Sequence, residues 1–367
     1  MTSDSLASLA DLQTEQRNAK TAQIDTVSTL ELCRAFVSSA RTRSLNEQVL
    51  TPAEIINDQD QGVAAAVKLC LPEIARAIDL VVPRIATGGR VVYIGAGTSG
   101  RLGVLDASEI PPTFSAPPSQ FVGLIAGGDG ALRTAVEGAE DSETLAAEEI
   151  AARLESQPLG RNDVVIGIAS SGRTPYVLGG LRYAKSVGAA TVGLACVQPS
   201  QMRETGLCDV LIECVTGPEV LTGSTRLKAG TATKMILNMI STGSQVRTGK
   251  TFGNLVRRRP CRWLLSPNVW EPPLTVQMID LQMSNEKLRD RARRVLRTVV
   301  SPAGILAAHR VDEDAEVDSL LAGCDGSVKL SILVAMSGLS PDQARLVLQK
   351  SGGMLSKALR SVDHQKI

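Results

Sequence analysis

Histidine is almost absent from this chain of 367 residues, which contains only His309 and His364, both near its carboxyl terminus. A Ser-His-Asp triad or a histidine-based zinc site in the main part of the chain is therefore excluded. Proton transfer there must use Glu, Asp, Lys, Tyr, Cys or water. Aromatic residues make up only 2% of the chain and the formal net charge is +1. The chain thus has neither the stacking surfaces nor the basic face typical of nucleic-acid-binding proteins.

Long apolar runs and paired cysteine motifs are missing as well. No run approaches the roughly 18–20 residues of a membrane span. Residues Met1–Asp11 lack the basic start and apolar core of a signal peptide. The seven cysteines are scattered and form no C-x-x-C pair, so we expect reduced thiols. These absences predict a cytoplasmic protein that binds neither membrane nor nucleic acid.

Strand-length apolar runs alternate with helical patterns through the middle of the chain. The runs are Arg90–Ile94, Phe121–Ile125, Asp163–Ala169, Thr191–Cys196 and Asp209–Cys214. Helical patterns between them include Leu132–Leu154 and Pro175–Ser186. This alternation predicts an α/β fold, a parallel five-stranded doubly wound sheet with helices on both faces.

Further helical patterns flank the predicted sheet. They are Asn57–Ala86 (broken at Leu71-Pro72), Arg226–Val246, Ser284–Val300, Val317–Leu321, Ser327–Ser337 and Pro341–Leu348, the last with Ser340 as a candidate N-cap. The short patterns after Pro302 predict a small helical C-terminal domain. We accordingly predict an N-terminal helical and polar segment over 1–56, a sheet domain over 57–255, an insertion over 256–277, and a helical region over 278–367.

Three segments rich in Gly, Ser and Thr follow predicted strands at one edge of the sheet. The first reads GAGTSGR over residues 95–101 and the second SSGRTP over 170–175. The third, GPEVLTGSTRLKAGT, covers 217–231 after the last strand. Backbone N–H groups at a helix start, together with Ser and Thr hydroxyls, form a pocket for a phosphate dianion. One such loop could equally be an ordinary capped turn, but two at one sheet edge favour a ligand site.

The ligand that these loops predict is a small phosphorylated sugar rather than a dinucleotide. A dinucleotide site needs an acidic residue at the end of the second strand, where this chain has Ile125-Ala126-Gly127-Gly128. The candidate ligand-binding residues are Gly97, Thr98, Ser99, Ser170, Ser171, Gly172, Arg173, Thr174, Glu219, Ser224 and Lys228. Glu219 and Lys228 could instead be solvated surface charges.

Four ordered motifs resemble the N-acetylmuramic acid 6-phosphate etherase family. They are Ile94–Glu109, Gly123–Asp141, Ser170–Tyr176 and Gly217–Thr231. The match covers most of residues 20–34 and 56–255, and more weakly 278–360. The glucokinase regulatory protein shares the last motif, but it is much longer and carries two sugar-isomerase (SIS) modules. The resemblance implies an SIS, flavodoxin-like fold, a homodimer, a phosphorylated amino sugar as substrate, and neither metal nor redox cofactor.

The resemblance also implies a reaction, cleavage of the ether between sugar C3 and D-lactate to give N-acetylglucosamine 6-phosphate. Lactate is eliminated from the open-chain aldehyde, and water then adds across the double bond. The family's two essential glutamates correspond to Glu109 and Glu140, both expected on helices that follow the first two strands. A carboxylate can remove the C2 proton and a carboxylic acid can protonate the departing oxygen, and we assign Glu109 as the acid. Without the resemblance, Glu109 could equally be a surface helix residue, and Glu140 would be interpreted as a charge on a solvated helix face.

Two other functions fit the loops. One is a sugar-phosphate-sensing regulatory protein without catalysis, and the other is an aldose–ketose phosphate isomerase on the same fold. The presence of both Glu109 and Glu140 favours the etherase, because a sensor needs the phosphate loops but not two positioned carboxylates.

Two stretches, Ala35–Glu54 and Val256–Gln277, have no counterpart in the family. The second contains both tryptophans, four arginines and four prolines within 22 residues, and it has no periodic pattern. One interpretation of this segment is an exposed loop. The other is a retained intron, because every valine codon begins with GT and one glutamine codon ends with AG, so the segment can carry splice signals at both edges. Transcripts that all keep these codons would refute the intron.

Overall fold

The computed structural model of the protein describes Gln13 and residues 52–252, 277–279, 286–300 and 314–363. The chain forms two compact units. The first contains residues up to Ser108 and Ser119–Ser241, and the second contains Glu109–Pro118 and residues from Thr242 onward. Of the two stretches without a family counterpart, only residues 52–54 and Gln277 are among the described residues.

A parallel five-stranded sheet forms the centre of the first unit, in the order β2-β1-β3-β4-β5. The strands are β1 (Val91–Gly95), β2 (Phe121–Ile125), β3 (Val164–Ile168), β4 (Ala190–Ala195) and β5 (Val210–Glu213). Val91 pairs with Phe121 on one side and with Val164 on the other. Every residue of β1, β3 and β4 is buried, as expected for parallel strands that are covered on both faces. The predicted sheet is confirmed.

The helices that begin in the first unit are α1 (Pro52–Asp60), α2 (Val63–Leu69), α3 (Leu71–Ala86), α4 (Gly97–Phe114), α5 (Leu145–Arg153), α6 (Pro175–Ser186), α7 (Gln201–Thr205) and α8 (Lys228–Arg247). They cover both faces of the sheet. A Cβ atom on Gly103 of α4 would lie 2.9 Å from Cβ of Tyr93, and one on Gly180 of α6 would lie 2.4 Å from Cδ1 of Ile94. Because neighbouring residues of a strand point to opposite faces, α4 and α6 lie on opposite sides. The doubly wound arrangement is therefore confirmed.

The helix predicted over Leu132–Leu154 is wrong in its first half. Two short 3-10 turns, Asp129–Leu132 and Ala139–Asp141, precede α5. The reason is backbone conformation: Gly138, just before the second turn, adopts the left-handed region at φ 75°. A residue in this conformation cannot continue a right-handed helix.

The second unit is helical. Its own helices are α9 (Glu286–Val300), α10 (Asp314–Gly323), α11 (Val328–Ser337), α12 (Pro341–Lys350) and α13 (Leu355–Asp363), and the short strands β6 (Thr251–Phe252) and β7 (Gln277–Met278) pair antiparallel. Helix α11 is buried along nearly its whole length and forms the centre of this core. The predicted cap is confirmed, since Ser340 and Gln343 form a reciprocal capping box. Helix α13 was not predicted.

Among the described helices, none is by itself long and apolar enough to cross a membrane. Helices α10 and α11 together have the length and apolar composition of a membrane span, but the chain bends by 105° between them.

Candidate functional site

The first loop connects β1 to α4 at the carboxyl edge of the sheet. Helix α4 begins at Gly97, whose φ of 52° lies in the left-handed region, and Thr98 and Ser99 are half-buried in its first turn. A Cβ atom on Gly100 would lie 2.6 Å from the carbonyl oxygen of Gly95. Only glycine therefore lets the helix start pack so closely on the strand. The first turn presents two hydroxyls and N–H groups that have no partner within the helix.

The second loop connects β3 to α6. Gly172 adopts φ 68°, and a Cβ atom there would lie 2.5 Å from Cβ of Ser200. Its N–H donates to the carbonyl oxygen of Ala169 at 2.8 Å, which fixes the turn. Thr174 is the N-cap residue of α6, yet its side chain makes no capping hydrogen bond. Ser170, Ser171 and Arg173 are half-buried in this loop, so the hydroxyls lie at a helix start that is suited to an anion.

The third loop is organised by Glu219, which is 0% exposed. Its Oε2 accepts a hydrogen bond from Lys228 N at 3.0 Å, and its Oε1 accepts one from Ala229 N at 2.9 Å. Burial raises the pKa of the Glu219 carboxyl above its usual value, although the two N–H groups oppose this shift. The carboxylate therefore caps α8. Ser224 is half-buried and Lys228 is buried beside it.

Cys196, the residue after β4, brings the loops together. Its N–H donates to the carbonyl oxygen of Ser170 at 2.9 Å, and its Sγ donates to the carbonyl oxygen of Ala229 at 3.7 Å. A Cβ atom on Gly230 would lie 3.6 Å from Cγ2 of Thr98. The second loop thus meets the third at Cys196, and the third meets the first at Thr98.

Sequence reasoning did not assign this linking role to Cys196. The only available signal was its position at the end of a buried strand. Burial raises the pKa of the Cys196 thiol to about 12, so the thiol stays protonated and can donate.

Glu109 lies on the helix that follows β1, as predicted, whereas Glu140, which was also expected on a helix, lies in a short 3-10 turn after β2. Glu140 is exposed in the 3-10 turn Ala139–Asp141 of the first unit. Arg101 holds the chain that leads to this turn, since its Nε and Nη2 donate to the carbonyl oxygens of Leu132 and Ala131 at 3.1 and 2.7 Å. Glu109 is exposed on α4, in the short segment Glu109–Pro118 that belongs to the second unit.

A buried acid, Asp106, anchors α4 behind the first loop. Its Oδ2 accepts a hydrogen bond from the Tyr93 hydroxyl at 2.9 Å, and its Oδ1 accepts one from Ser241 at 3.2 Å. The ammonium of Lys234 lies 3.5 Å from the same Oδ1. Burial and the Asp106 charge hold the pKa of Tyr93 well above its usual range. Asp106 had no predicted role beyond its place in the first motif, Ile94–Glu109.

Acidic and thiol side chains do not gather into a metal-binding set within the described ranges. In that part of the chain, no group of three or more His, Cys, Asp or Glu residues is placed to hold a metal ion.

Comparison with known proteins identifies the family. A family model of the glucokinase regulatory protein N-terminal SIS domain matches residues 73–185. N-acetylmuramic acid 6-phosphate etherases from Rhodopirellula baltica and Clostridium beijerinckii are 43% and 44% identical to this chain, over 96% and 97% of its length and 98% of theirs. The etherase from Streptomyces avermitilis is 44% identical over 96% of this chain and 95% of its own. The chain therefore belongs to the N-acetylmuramic acid 6-phosphate etherase family.

Proposed function

We propose that the protein is a carbon–oxygen lyase that cleaves the D-lactyl ether of N-acetylmuramic acid 6-phosphate to N-acetylglucosamine 6-phosphate and D-lactate. The observation that carries this proposal is the meeting of three Ser/Thr/Gly loops at one sheet edge, in a chain about 43% identical to named etherases over nearly its full length. The sequence identity to named etherases supports the enzyme over a regulatory protein that only senses the sugar phosphate.

The phosphate is proposed to lie between the first two loops. The starts of α4 and α6 supply N–H groups and the positive end of the helix dipole. Hydroxyls of Ser99, Ser170, Ser171 and Thr174 add hydrogen bonds to the dianion. Gly97 and Gly172 allow the backbone to approach closely, and the third loop, with Ser224 and Lys228, faces the remainder of the sugar.

The chemistry is proposed to need only two carboxyl groups and water. In the open-chain sugar the aldehyde makes the C2 proton acidic, and Glu140 removes it as the base. The C3–oxygen bond breaks, and Glu109 protonates the departing lactate oxygen. Water then adds across the C2–C3 double bond, with its hydroxyl at C3 and a proton at C2, so the sum is hydrolysis of the ether.

A direct assay tests the activity. Incubation with N-acetylmuramic acid 6-phosphate should release D-lactate in equal amount to N-acetylglucosamine 6-phosphate, and the sugar without its phosphate should react far more slowly. Saturable binding of the phosphosugar without any lactate release would instead establish the regulatory alternative.

We also propose a cytoplasmic homodimer. The five cysteines among the described residues are free thiols, which fits a reducing compartment. Light scattering on a sizing column should give twice the mass of the 38.7 kDa chain. A monomer at assay concentration would contradict the dimer.

Replacing both Ser170 and Ser171 by Ala should raise KM for the phosphosugar strongly. A hydrogen bond to a charged group contributes about 1.5–3 kcal/mol, which corresponds to at least about a tenfold rise in KM for each hydroxyl lost. The preference for the phosphorylated over the free sugar should disappear as well.

Ser186→Ala is the matched control, since this serine lies at the other end of α6 and its hydroxyl donates to the carbonyl oxygen of Tyr183 within the same helix. An unchanged phosphate preference in the double variant, with its fold intact by circular dichroism, would remove this loop from phosphate recognition.

A further inference from the structure

A pair of thiols lies within the first unit, near the β5 edge of the sheet. Cys70 separates α2 from α3, and Cys214 directly follows β5. The Sγ atom of Cys70 donates to the carbonyl oxygen of Glu213, the residue before Cys214, at 3.5 Å. The Cys70 and Cys214 side chains also lie close enough for each to shift the pKa of the other. The Cys70 sulfur therefore lies against the backbone next to Cys214, although 143 residues lie between the two cysteines in sequence.

Only one of the two thiols faces open space. Cys70 lines a cavity of about 540 Å³ together with Glu73, Arg203 and Cys208, whereas Cys214 does not line it. Cys214 is 0% exposed and Cys70 is 6% exposed. Of these two cysteines, only Cys70 can therefore be reached by a small oxidant that enters the cavity.

The electrostatic setting separates the roles of the two thiols. The neighbouring Cys214 side chain lowers the pKa of Cys70, against the effects of burial and of the carboxylates of Glu73 and Glu213. The Cys70 side chain and burial raise the pKa of Cys214. Burial and Asp209 raise the pKa of Cys208, the other cysteine of the cavity, to about 12. The thiolate, which is the reactive form, is thus favoured at Cys70 alone among these three.

We propose that Cys70 and Cys214 form a reversible oxidation site that closes into an intramolecular disulfide when a hydroperoxide enters the cavity. The Cys70 thiolate attacks the peroxide oxygen, the O–O bond breaks, and Cys70 becomes a sulfenic acid while, for hydrogen peroxide, water leaves after protonation. The Cys214 thiol then attacks the sulfenic sulfur, and a second water is released. The two thiols lose two electrons and two protons, and the peroxide gains them. A thiol reductant restores both cysteines by exchange.

Closure would fix the junction of α2 and α3 to the end of β5. From Cys214 the chain continues directly into the third loop, whose Glu219 caps α8. The site is distinct from the sugar-phosphate loops, and its test does not depend on etherase activity.

The test is oxidation of the native protein with hydrogen peroxide, followed by mass spectrometry without reduction. The intact mass should fall by two hydrogen atoms and return after dithiothreitol treatment, and peptide mapping should join the Cys70 peptide to the Cys214 peptide. Cys70→Ser should abolish the mass change. In Cys214→Ser, dimedone should trap a sulfenic acid on Cys70.

Cys208→Ser is the matched control, because Cys208 lines the same cavity, and this variant should behave like the unmodified protein. A disulfide from Cys70 to any cysteine other than Cys214 would overturn the proposal. So would a native protein that keeps both thiols under peroxide. These results on the unmodified chain stand even if a serine variant fails to fold.

Discussion

Glu109→Gln and Glu140→Gln should each lower the rate of D-lactate release by about 10²–10⁴-fold, because each removes a general acid or base. The amide keeps the size and shape of the carboxyl group but can neither accept the C2 proton nor deliver one to the leaving oxygen. Both side chains are exposed, so the melting temperature should change little. Steady-state kcat and a thermal melt measure the two quantities together.

Proton exchange separates the two roles. In D₂O, Glu140→Gln should lose exchange of the C2 proton, since its base is gone. Glu109→Gln should retain that exchange while lactate stays bound to the sugar. Glu137→Gln, exposed in the same segment as Glu140, is the control and should keep normal turnover. Near-normal kcat in either test variant would exclude that glutamate from the mechanism, and the reverse exchange pattern would swap the assignments.

Arg90→Met should lower the free energy of unfolding by about 3–5 kcal/mol, the typical effect of removing one partner from a buried ion pair. The side chains of Arg90 and Asp163 are only 7% and 6% exposed. Nε and Nη2 of Arg90 donate to the two carboxylate oxygens of Asp163 at 3.0 and 2.8 Å. Nη1 and Nη2 of Arg90 also donate to the carbonyl oxygens of Gln157 and Pro158 at 2.7 and 3.1 Å. Methionine would fill the space but leave a buried carboxylate without its counter-charge.

The same pair gives stability a pH dependence. Burial by itself would raise the pKa of Asp163, but hydrogen bonds from Arg90 and from Gly160 N hold it below its usual value. Because the pKa of Asp163 is lower in the folded than in the unfolded state, the stabilisation by its ionised carboxylate is complete above the unfolded-state pKa, about 3.9. It is lost as the pH falls through the folded-state value. In Arg90→Met, burial without a counter-charge should raise the pKa of Asp163. The loss of unfolding free energy caused by the substitution should therefore become smaller as the pH falls and Asp163 is protonated.

Urea unfolding from pH 3 to 7 measures both effects. Arg182→Met is the control, because Arg182 and Glu143 form a pair whose side chains are 54% and 61% exposed. Such pairs contribute roughly 0–1 kcal/mol. An equal loss of unfolding free energy in Arg90→Met and Arg182→Met would show that the buried pair stabilises the fold no more than the exposed pair does.

The sheet was predictable because its strands are buried on both faces and therefore consist of continuous apolar runs. The loops were predictable because glycine, serine and threonine that follow a strand directly favour a turn or a helix start. The 3-10 turns before α5 could not be predicted. The apolar residues keep a helical spacing through this segment, and the left-handed conformation of Gly138 that interrupts the helix depends on its surroundings.

Long-range contacts account for the rest of what was missed. The capping of α8 by Glu219 involves residues nine and ten positions away, and Cys196 joins segments from three parts of the chain. No local pattern encodes such contacts. Glu219 stays a predicted ligand-binding residue, and the structure adds that both of its carboxylate oxygens accept hydrogen bonds from the start of α8.

Glu219 also gives the three loops an electrostatic direction. The starts of α4 and α6 carry the partial positive charge of a helix amino end, and the first turn of α6 contains no acidic residue. At α8 a buried carboxylate already neutralises that charge. At the proposed site, an anion is therefore attracted more strongly to the starts of α4 and α6 than to the start of α8. A molecule with one dianionic end and one neutral end would therefore be oriented by electrostatic attraction as it enters, before any shape-specific contact is made.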